Sequence, residues 1–261
     1  MKYLLNKRNP SWVPFSLKIV SILIAILVWH IISVIISENI LLVSPFKVFG
    51  RVLTIWREPG FFSSILFSLV RITIGYISGV VLGTILGVLA DRFVLVEYLI
   101  WPFMISVRSI PVASIVVICL LWLSAANLSW FISFLIVLPV VYNNVLTGLK
   151  KRSPELEEAV KVIGAKWLQR VRYVYLPQLL PFLLSACSVT AGMAWKAGVA
   201  AEVIGTPNGS IGQNLYLAKI YLDTTDLFTW TLVIVIISVL FEKIFVMIIK
   251  RLIECFAGSD N

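Results

Sequence analysis

Ionisable side chains are concentrated in one stretch of an otherwise apolar chain, residues 150–181. It holds seven of the 22 Lys and Arg residues and three of the 13 acids. Ser153 and Pro154 are typical of a helix N-cap and first helical residue, and Glu158 falls in the following turns, where carboxylates suit the positive end of the helix dipole. Gly164 is placed to end that helix in a left-handed conformation. Such a helix favours binding to a soluble partner over bond-making chemistry.

No set of residues with the spacing of a catalytic or metal site accompanies this stretch. No lysine is followed by Ser or Thr, which excludes an ATPase with a phosphate-binding G-x-x-x-x-G-K-[ST] loop. The G-x-S-x-G and H-E-x-x-H patterns are also absent. Cys119, Cys187 and Cys255 are too widely spaced for a metal site or a disulfide framework. We therefore predict a protein that is not an enzyme and has no cofactor, with any ATP chemistry supplied by another polypeptide.

The composition is that of an integral membrane protein. Hydrophobic residues make up 60% of the chain and charged residues 13%, against about 45–50% and 25% in soluble domains. A chain of 261 residues has room for five to seven helices of about 20 residues each. The net charge of +9 does not indicate a nucleic-acid partner, because the charges lie at the ends of apolar runs.

Six transmembrane helices are predicted from the lengths of these runs. They cover residues 19–37, 72–90, 99–123, 128–148, 179–199 and 227–249. In the second, Gly75, Gly79, Gly83 and Gly87 recur at every fourth residue, which predicts a face that another helix approaches closely. Between the first two, an amphipathic helix starting at Pro45 is predicted to lie on the outer surface.

Two cations fall within or near these spans. Arg108 lies inside the third, and Pro111 beside it is expected to loosen the helix. An ionisable residue at that depth usually faces a protein interior or a water-filled path, so we interpret Arg108 and Pro111 either as part of a gate or pathway or as a structural pairing. Lys196 lies far enough along the fifth span to reach the outer interface by snorkelling, with anion binding as the alternative.

The distribution of positive charge predicts the topology. Segments expected inside hold 14 Lys or Arg residues, and segments expected outside hold five. Cytoplasmic segments carry the excess of positive charge, so residues 150–177 form a cytoplasmic loop between the fourth and fifth spans. With six spans, both termini are then cytoplasmic.

The loop resembles the "EAA" loop of permease subunits of ATP-binding-cassette (ABC) importers. The family pattern is E-A-A, three residues, Gly, nine residues and I-x-L-P. The chain has Glu158-Ala159-Val160, Gly164 and Val174-Tyr175-Leu176-Pro177 at the same spacing. Val replaces the second Ala and the Ile. The alternative is a solvated basic linker.

Other short motifs extend the resemblance. Arg108-Ser109-Ile110-Pro111 is similar to the family's R-S-I-P. Ser68-Leu69-Val70-Arg71, Ala201-Glu202 and Ser210-Ile211-Gly212 resemble the branch that transports nitrate, sulfonates and taurine.

The resemblance implies a permease that couples to cytoplasmic ABC ATPase subunits. It also implies an extracytoplasmic solute-binding protein, a second permease copy in a homodimer, and a multi-pass location in the plasma (inner) membrane of a prokaryote. The residues implied in coupling are Glu158, Ala159, Gly164, Ala165, Leu176 and Pro177. Glu158 would supply docking contacts, and Gly164 the shape of the turn.

The division of the chain and the solute follow from the same resemblance. Residues 1–64 are expected to form a cytoplasmic tail, the first span and the outer interfacial helix, and residues 65–255 the permease core with five spans. A nitrate-, sulfonate- or taurine-like anion is the expected solute, with a thiamine-precursor pyrimidine or a riboflavin-like solute as the alternative. An ATP-independent channel or secondary transporter is the competing class, but such proteins need ionisable residues deep in several spans or internal repeats.

Overall fold

The computed structural model describes residues 13–36 and 42–257, and these form helices without a β-strand. The predicted tail up to residue 12, and Ser37 at the end of the first predicted span, lie outside the described residues. The helices are α1 (Val13–Ile36), α2 (Pro45–Ile55), α3 (Phe61–Arg92), α4 (Val94–Ser109), α5 (Val112–Cys119), α6 (Ala125–Lys150), α7 (Pro154–Val162), α8 (Trp167–Arg170), α9 (Leu176–Gly205), α10 (Ile211–Ile220) and α11 (Thr224–Ala257). A π-helical turn, Val171–Tyr175, joins α8 to α9.

Five of the described helical segments are long and apolar enough to cross a membrane, and α4 with α5 makes a sixth if the pair counts as one span. The predicted all-helical membrane fold is confirmed. The third predicted span is not one straight helix, because α4 and α5 meet at a bend of 105°. Pro111 causes this break: it has no N–H to donate and restricts Ile110 to an extended conformation.

The centre of the bundle consists of α3, α6 and α9. The four glycines predicted to form a close-packing face lie against α6. A Cβ on Gly75 would stand 2.2 Å from the Trp130 carbonyl oxygen, and one on Gly79 would stand 2.7 Å from the Val137 Cβ. The helices therefore approach more closely than any larger side chain permits.

Aromatic side chains fill the space between this centre and α11. Trp195 and Tyr76 are almost completely buried, and both rings meet Phe241 of α11 edge-on, with centroid distances of 5.7 and 5.4 Å. The Tyr76 hydroxyl donates to the Cys187 carbonyl oxygen at 3.0 Å. This hydrogen bond satisfies a polar group that would otherwise be costly in a core without water.

The peripheral helices expose apolar faces. In α1, side chains such as Ile22, Leu23 and Ile35 are 60–73% exposed, as expected of a helix surrounded by lipid. The predicted amphipathic helix is α2, which exposes Phe46 and Leu53 and packs against α11.

The positive charge of α2 is partly neutralised. The guanidinium of Arg51 bonds to the carboxylates of Glu58 and Asp226, and Nε lies 2.5 Å from Asp226 Oδ1. Hydrogen bonds to Asp226, and then to Glu58, raise the pKa of Arg51 despite partial burial. Arg51 therefore joins α2 to the start of α11.

Candidate coupling loop and outer cluster

The polar loop, residues 150–177, contains the helix start that its sequence predicts. α7 begins at Pro154, and Ser153 Oγ accepts a hydrogen bond from the Leu156 backbone N–H at 3.4 Å. The same hydroxyl donates to the Glu155 carboxylate, and this hydrogen bond lowers the pKa of Glu155. The first turn of α7 therefore has a defined start and carries negative charge, which the helix dipole favours.

Gly164 follows the end of α7 with the predicted left-handed conformation. Its φ is +70°, and the Ala165 N–H donates to the Val160 carbonyl oxygen at 3.3 Å. A Cβ on Gly164 would meet no atom within 4 Å, so the backbone conformation, and not a lack of space, requires glycine here. Arg170 Nε donates to the Ala165 carbonyl oxygen at 2.9 Å, which holds α8 against this turn.

Apolar side chains at the end of α7 are exposed. Val162 and Ile163 are 87% and 79% accessible. Leu156, which lies nearer the start of α7, is 48% accessible. Glu158 and Ala159 are also exposed. In a segment outside the hydrocarbon, an apolar patch bordered by charge is typical of a surface that another protein covers.

Three contacts fasten the polar loop to the membrane helices. They are the ion pairs Lys150–Glu97 at 2.6 Å and Arg152–Asp91 at 2.9 Å, and the hydrogen bond from Ser153 N–H to Gln178 Oε1 at 3.0 Å. They connect the loop to α4, α3 and α9 respectively. The more exposed pair, Lys150–Glu97, is individually weak, but a displacement of α7 would act on three membrane helices at once.

The last two predicted coupling residues belong to a different helix from the others. Glu158, Ala159, Gly164 and Ala165 belong to α7 and its terminal turn, whereas Leu176 and Pro177 begin α9. The π-helical turn links α8 directly to α9, so residues 171–205 count as one helical segment of 35 residues. Such a segment is roughly 50 Å long and connects the polar loop to the opposite end of the bundle.

Residues 79–255 match the family described as the binding-protein-dependent transport system inner membrane component. This match covers about two thirds of the chain and includes the polar loop, α4 and α9, and the part of α3 that contains Asp91. The chain belongs to this family. It is therefore a multi-pass membrane permease of the ABC transporter class, as the spacing of Glu158, Gly164 and Pro177 predicts.

Relatives of the permease carry names from the expected branch. A permease protein assigned to aliphatic sulfonates transport in Bacillus subtilis is 27% identical over 193 residues, 73% of this chain and 68% of the relative. The taurine transport system permease protein of Escherichia coli is 26% identical over 220 residues, 82% and 80% of the two chains. The formylaminopyrimidine transport permease protein of Halalkalibacterium halodurans is 26% identical over 188 residues, 72% and 75%.

Arg108 and Pro111 lie far from the polar loop of the permease, at the bend between α4 and α5. Arg108 is in the last turn of α4, Pro111 precedes α5, and both are exposed on the surface of the chain. Within the described part of the chain, Arg108 makes no hydrogen bond, ion pair or ring contact. The structural pairing considered for Arg108 is therefore not formed within these residues.

The three short motifs typical of the branch converge at the end of the permease opposite the polar loop, which we call the outer end after the predicted topology. There Glu202 is completely buried in α9, and its Oε2 accepts hydrogen bonds from Ser68 Oγ at 2.7 Å and from Gly212 N–H at 3.2 Å. Ser68 Oγ in turn accepts from Ile211 N–H at 3.1 Å. We call Ser68, Glu202, Ile211 and Gly212 the outer cluster. The predicted fifth span ends at residue 199, before Glu202, whereas the helix α9 continues to Gly205.

Arg71, the other ionisable residue of these motifs, reinforces the outer end of the permease. Its Nε donates to the Ala126 carbonyl oxygen at 2.6 Å, and its guanidinium lies 3.6 Å from the centroid of the Phe67 ring. Arg71 thereby joins α3 to the first turn of α6. The sequence had placed this arginine at the boundary of a span, whereas α3 extends ten residues further towards Phe61.

Proposed function

We propose that this chain is the membrane subunit of an ATP-driven importer in the inner membrane of a prokaryote, and that α7 is the element on which the ATPase acts. The complex would contain two copies of the chain, two cytoplasmic ATPase subunits and an extracytoplasmic solute-binding protein. The family match supports this arrangement. The observation that carries it is the exposed patch of Leu156, Val162 and Ile163, ended by the left-handed Gly164.

The mechanism is a transmission of rigid-body motion. When two ATPase subunits close around ATP, a helix seated between them is displaced, and the displacement favours one of two arrangements of the membrane helices. Because Lys150, Arg152 and Ser153 bind α4, α3 and α9, the movement of α7 would reach all three. The continuous segment 171–205 would carry it to the outer end.

Replacing Gly164 with Leu tests this mechanism. A side chain in the left-handed region costs roughly 1–2 kcal/mol, which changes the turn after α7 while leaving the spans in place. We expect the ATPase to separate from the permease or its hydrolysis to lose its dependence on the loaded binding protein, with at least a ten-fold loss of uptake. Co-purification and ATPase assays on the reconstituted complex measure these effects.

Gly209 provides the matched control. Its φ is +76°, and a Cβ there would also meet no atom within 4 Å, but it lies between α9 and α10 at the outer end. Gly209→Leu imposes the same backbone strain and should leave ATPase association unchanged. Full uptake by Gly164→Leu, or equal loss of the ATPase from both variants, would refute the proposed role of α7.

We infer that the solute is a small anion of the sulfonate, taurine or nitrate kind. The relatives named for aliphatic sulfonates and for taurine support this inference. A formylaminopyrimidine-like solute is the second candidate, because one relative is named for it. Titration of the cognate binding protein with taurine, an alkanesulfonate, nitrate and the pyrimidine separates them. Tight binding of the pyrimidine alone would overturn the anion assignment.

A further inference from the structure

One face of α9 is exposed along its whole length, and it differs from the lipid-facing surfaces elsewhere. The exposed positions recur every three or four residues and are Pro177, Pro181, Ser185, Val189, Met193, Lys196, Ala200 and Ile204. This set includes a cation, a serine and two prolines. From Ile22 to Ile36 the exposed positions of α1 are, by contrast, only Ala, Ile, Leu and Val, and its exposed Lys18 and Ser21 lie nearer the start of the helix. The polarity of the α9 face indicates that it borders water or protein, not hydrocarbon.

Lys196 occupies the outer half of this face. It precedes the end of α9 at Gly205 by nine residues, or about 14 Å along the axis. That distance exceeds the length of a lysine side chain, so the ammonium group lies beside the outer half of α9 and does not extend past the helix end. Among the described residues Lys196 has no hydrogen-bond or ion-pair partner. A cation at this depth is costly unless it faces a water-filled cavity or an opposite charge.

Arg108 is a second unpartnered cation in the membrane region, and the backbone beside it is not helical. Ser109, Ile110 and Pro111 are exposed where α4 ends and α5 turns away by 105°. Non-helical backbone at membrane depth is tolerated only within protein or along a water-filled cavity. The bend at Arg108 therefore borders water or another protein surface, and not hydrocarbon, as the face around Lys196 does.

Packing places the two cations at neighbouring depths. Before the bend, Met104 of α4 belongs to a cluster with Leu138 of α6. After it, Val116 of α5 belongs to a cluster with Ala197 of α9, the residue next to Lys196. Arg108 lies between these two levels. The carboxylate on α9 nearest in sequence, Glu202, is buried and engaged by Ser68 and Gly212, so it does not neutralise either cation.

We propose that Arg108 and Lys196 form a binding site for a small oxyanion, such as a sulfonate or carboxylate, on the solute path along α9. The proposal rests on the importer function above and adds the residues that recognise the solute charge within the membrane domain. A guanidinium supplies several donors in a plane that matches an oxyanion, and an ammonium adds a mobile point charge. The two together favour anions and repel cations at the bend.

Charge-selective labelling of a cysteine beside Lys196 tests the site. Met193 lies one turn away on the same exposed face. The starting protein carries Met193→Cys with Cys119, Cys187 and Cys255 changed to Ala, in membranes with its ATPase. The rates of modification by anionic sulfonatoethyl methanethiosulfonate and cationic trimethylammonioethyl methanethiosulfonate are compared at low salt, each relative to its rate with a free thiol.

The anionic reagent should react faster, and Lys196→Gln should reduce that preference. A unit charge about 6 Å away in water changes each rate about three-fold in opposite directions, and hence the ratio about ten-fold. Arg108→Gln should lower the ratio as well, whereas Lys196→Arg should preserve it. Lys243→Gln, which removes an exposed cation from α11, should leave it unchanged.

Two results would overturn the proposal. If neither reagent modifies the cysteine at position 193, the α9 face borders lipid or protein and not a water-filled path. If both react but the ratio ignores Lys196 and Arg108, the path contains no anion site at these residues. The labelling needs no solute and no ATP hydrolysis, so these failures are separate from a failure of the importer function, which the ATPase co-purification tests.

Discussion

The carboxylate of Glu202 accepts hydrogen bonds from α3 and from α10 while it belongs to α9. It thereby supplies a partner for the Gly212 N–H in the first turn of α10, and Ser68 does the same for the Ile211 N–H. The first N–H groups of a helix have no partner within the helix, so residues from two other helices provide the cap. Gly212 is needed for this contact, because a Cβ there would stand 2.3 Å from the Glu202 Cβ.

Glu202→Leu should therefore destabilise the protein more than Glu202→Gln. Leucine leaves the Gly212 N–H and the Ser68 hydroxyl without their acceptor, which costs about 1–3 kcal/mol for a buried donor. Glutamine keeps one side-chain oxygen, which in the position of Oε2 accepts from both the Gly212 N–H and the Ser68 hydroxyl. Thermal unfolding of the purified protein in detergent measures the order. Equal stability of the two variants would show that the outer cluster contributes no such hydrogen bonds.

Local rules predicted the residues whose conformation depends on their neighbours in sequence. Ser153, Pro154 and Gly164 adopt the predicted roles because capping and left-handed turns involve only a few consecutive residues. The burial of Glu202 was not predictable in this way, since its partners Ser68 and Gly212 come from other helices. The signal that the sequence did contain was a carboxylate next to a long apolar run, followed ten residues later by a glycine.

At the scale of elements, the contact between α3 and α6 determines the shape of the bundle. Four glycines on one face let the two backbones come close, and Ser133 of α6 then donates to the Ala194 carbonyl oxygen of α9 at 3.0 Å. In a bilayer the hydrophobic effect does not drive helices together, so the van der Waals contacts of such close packing stabilise the bundle instead. The repeat of glycine at every fourth residue was sufficient to predict this face.

Gly75→Ala should disturb this contact. Its Cβ would lie 2.2 Å from the Trp130 carbonyl oxygen, and a backbone oxygen moves only if α6 moves, so we expect a loss of about 1–3 kcal/mol. Gly192→Ala in α9 is the control, since a Cβ there meets no atom within 4 Å. The melting temperature should fall for the first variant only, and a fall of similar size in both would contradict the packing described.

The lengths of helices were less predictable than their existence. Hydropathy ends a span at a charge, so Arg71 shortened the second predicted span and Glu202 the fifth. In the structure the contacts of Arg71 with Ala126 and of Glu202 with Ser68 let both helices continue. The bend between α4 and α5 was anticipated only as a loosening at Pro111, because its angle depends on packing against α6 and α9.

At the scale of the whole molecule, the polar loop and the outer cluster lie at opposite ends of the segment 171–205. The loop is bound to α3, α4 and α9, and the outer cluster binds α3, α9 and α10. Because α3 and α9 belong to both sets of contacts, a movement at one end would be transmitted through them to the other end. The anion site that we propose lies between them, where a change in the angle of α4 and α5 would open or close it.

The account depends most on the location of α7 on the cytoplasmic side, where an ATPase covers it. Ile163 and Tyr221 offer a matched pair, with 79% and 77% exposure at the inner and outer ends. Each is changed to Cys in the cysteine-free protein and treated with a membrane-impermeant maleimide, in intact cells and in inside-out vesicles with and without the ATPase.

Tyr221→Cys should be modified in intact cells. Ile163→Cys should be modified only in inside-out vesicles, and the ATPase should protect it there. Modification of Ile163→Cys in intact cells, or equal modification in vesicles with and without the ATPase, would contradict the proposed coupling role of α7.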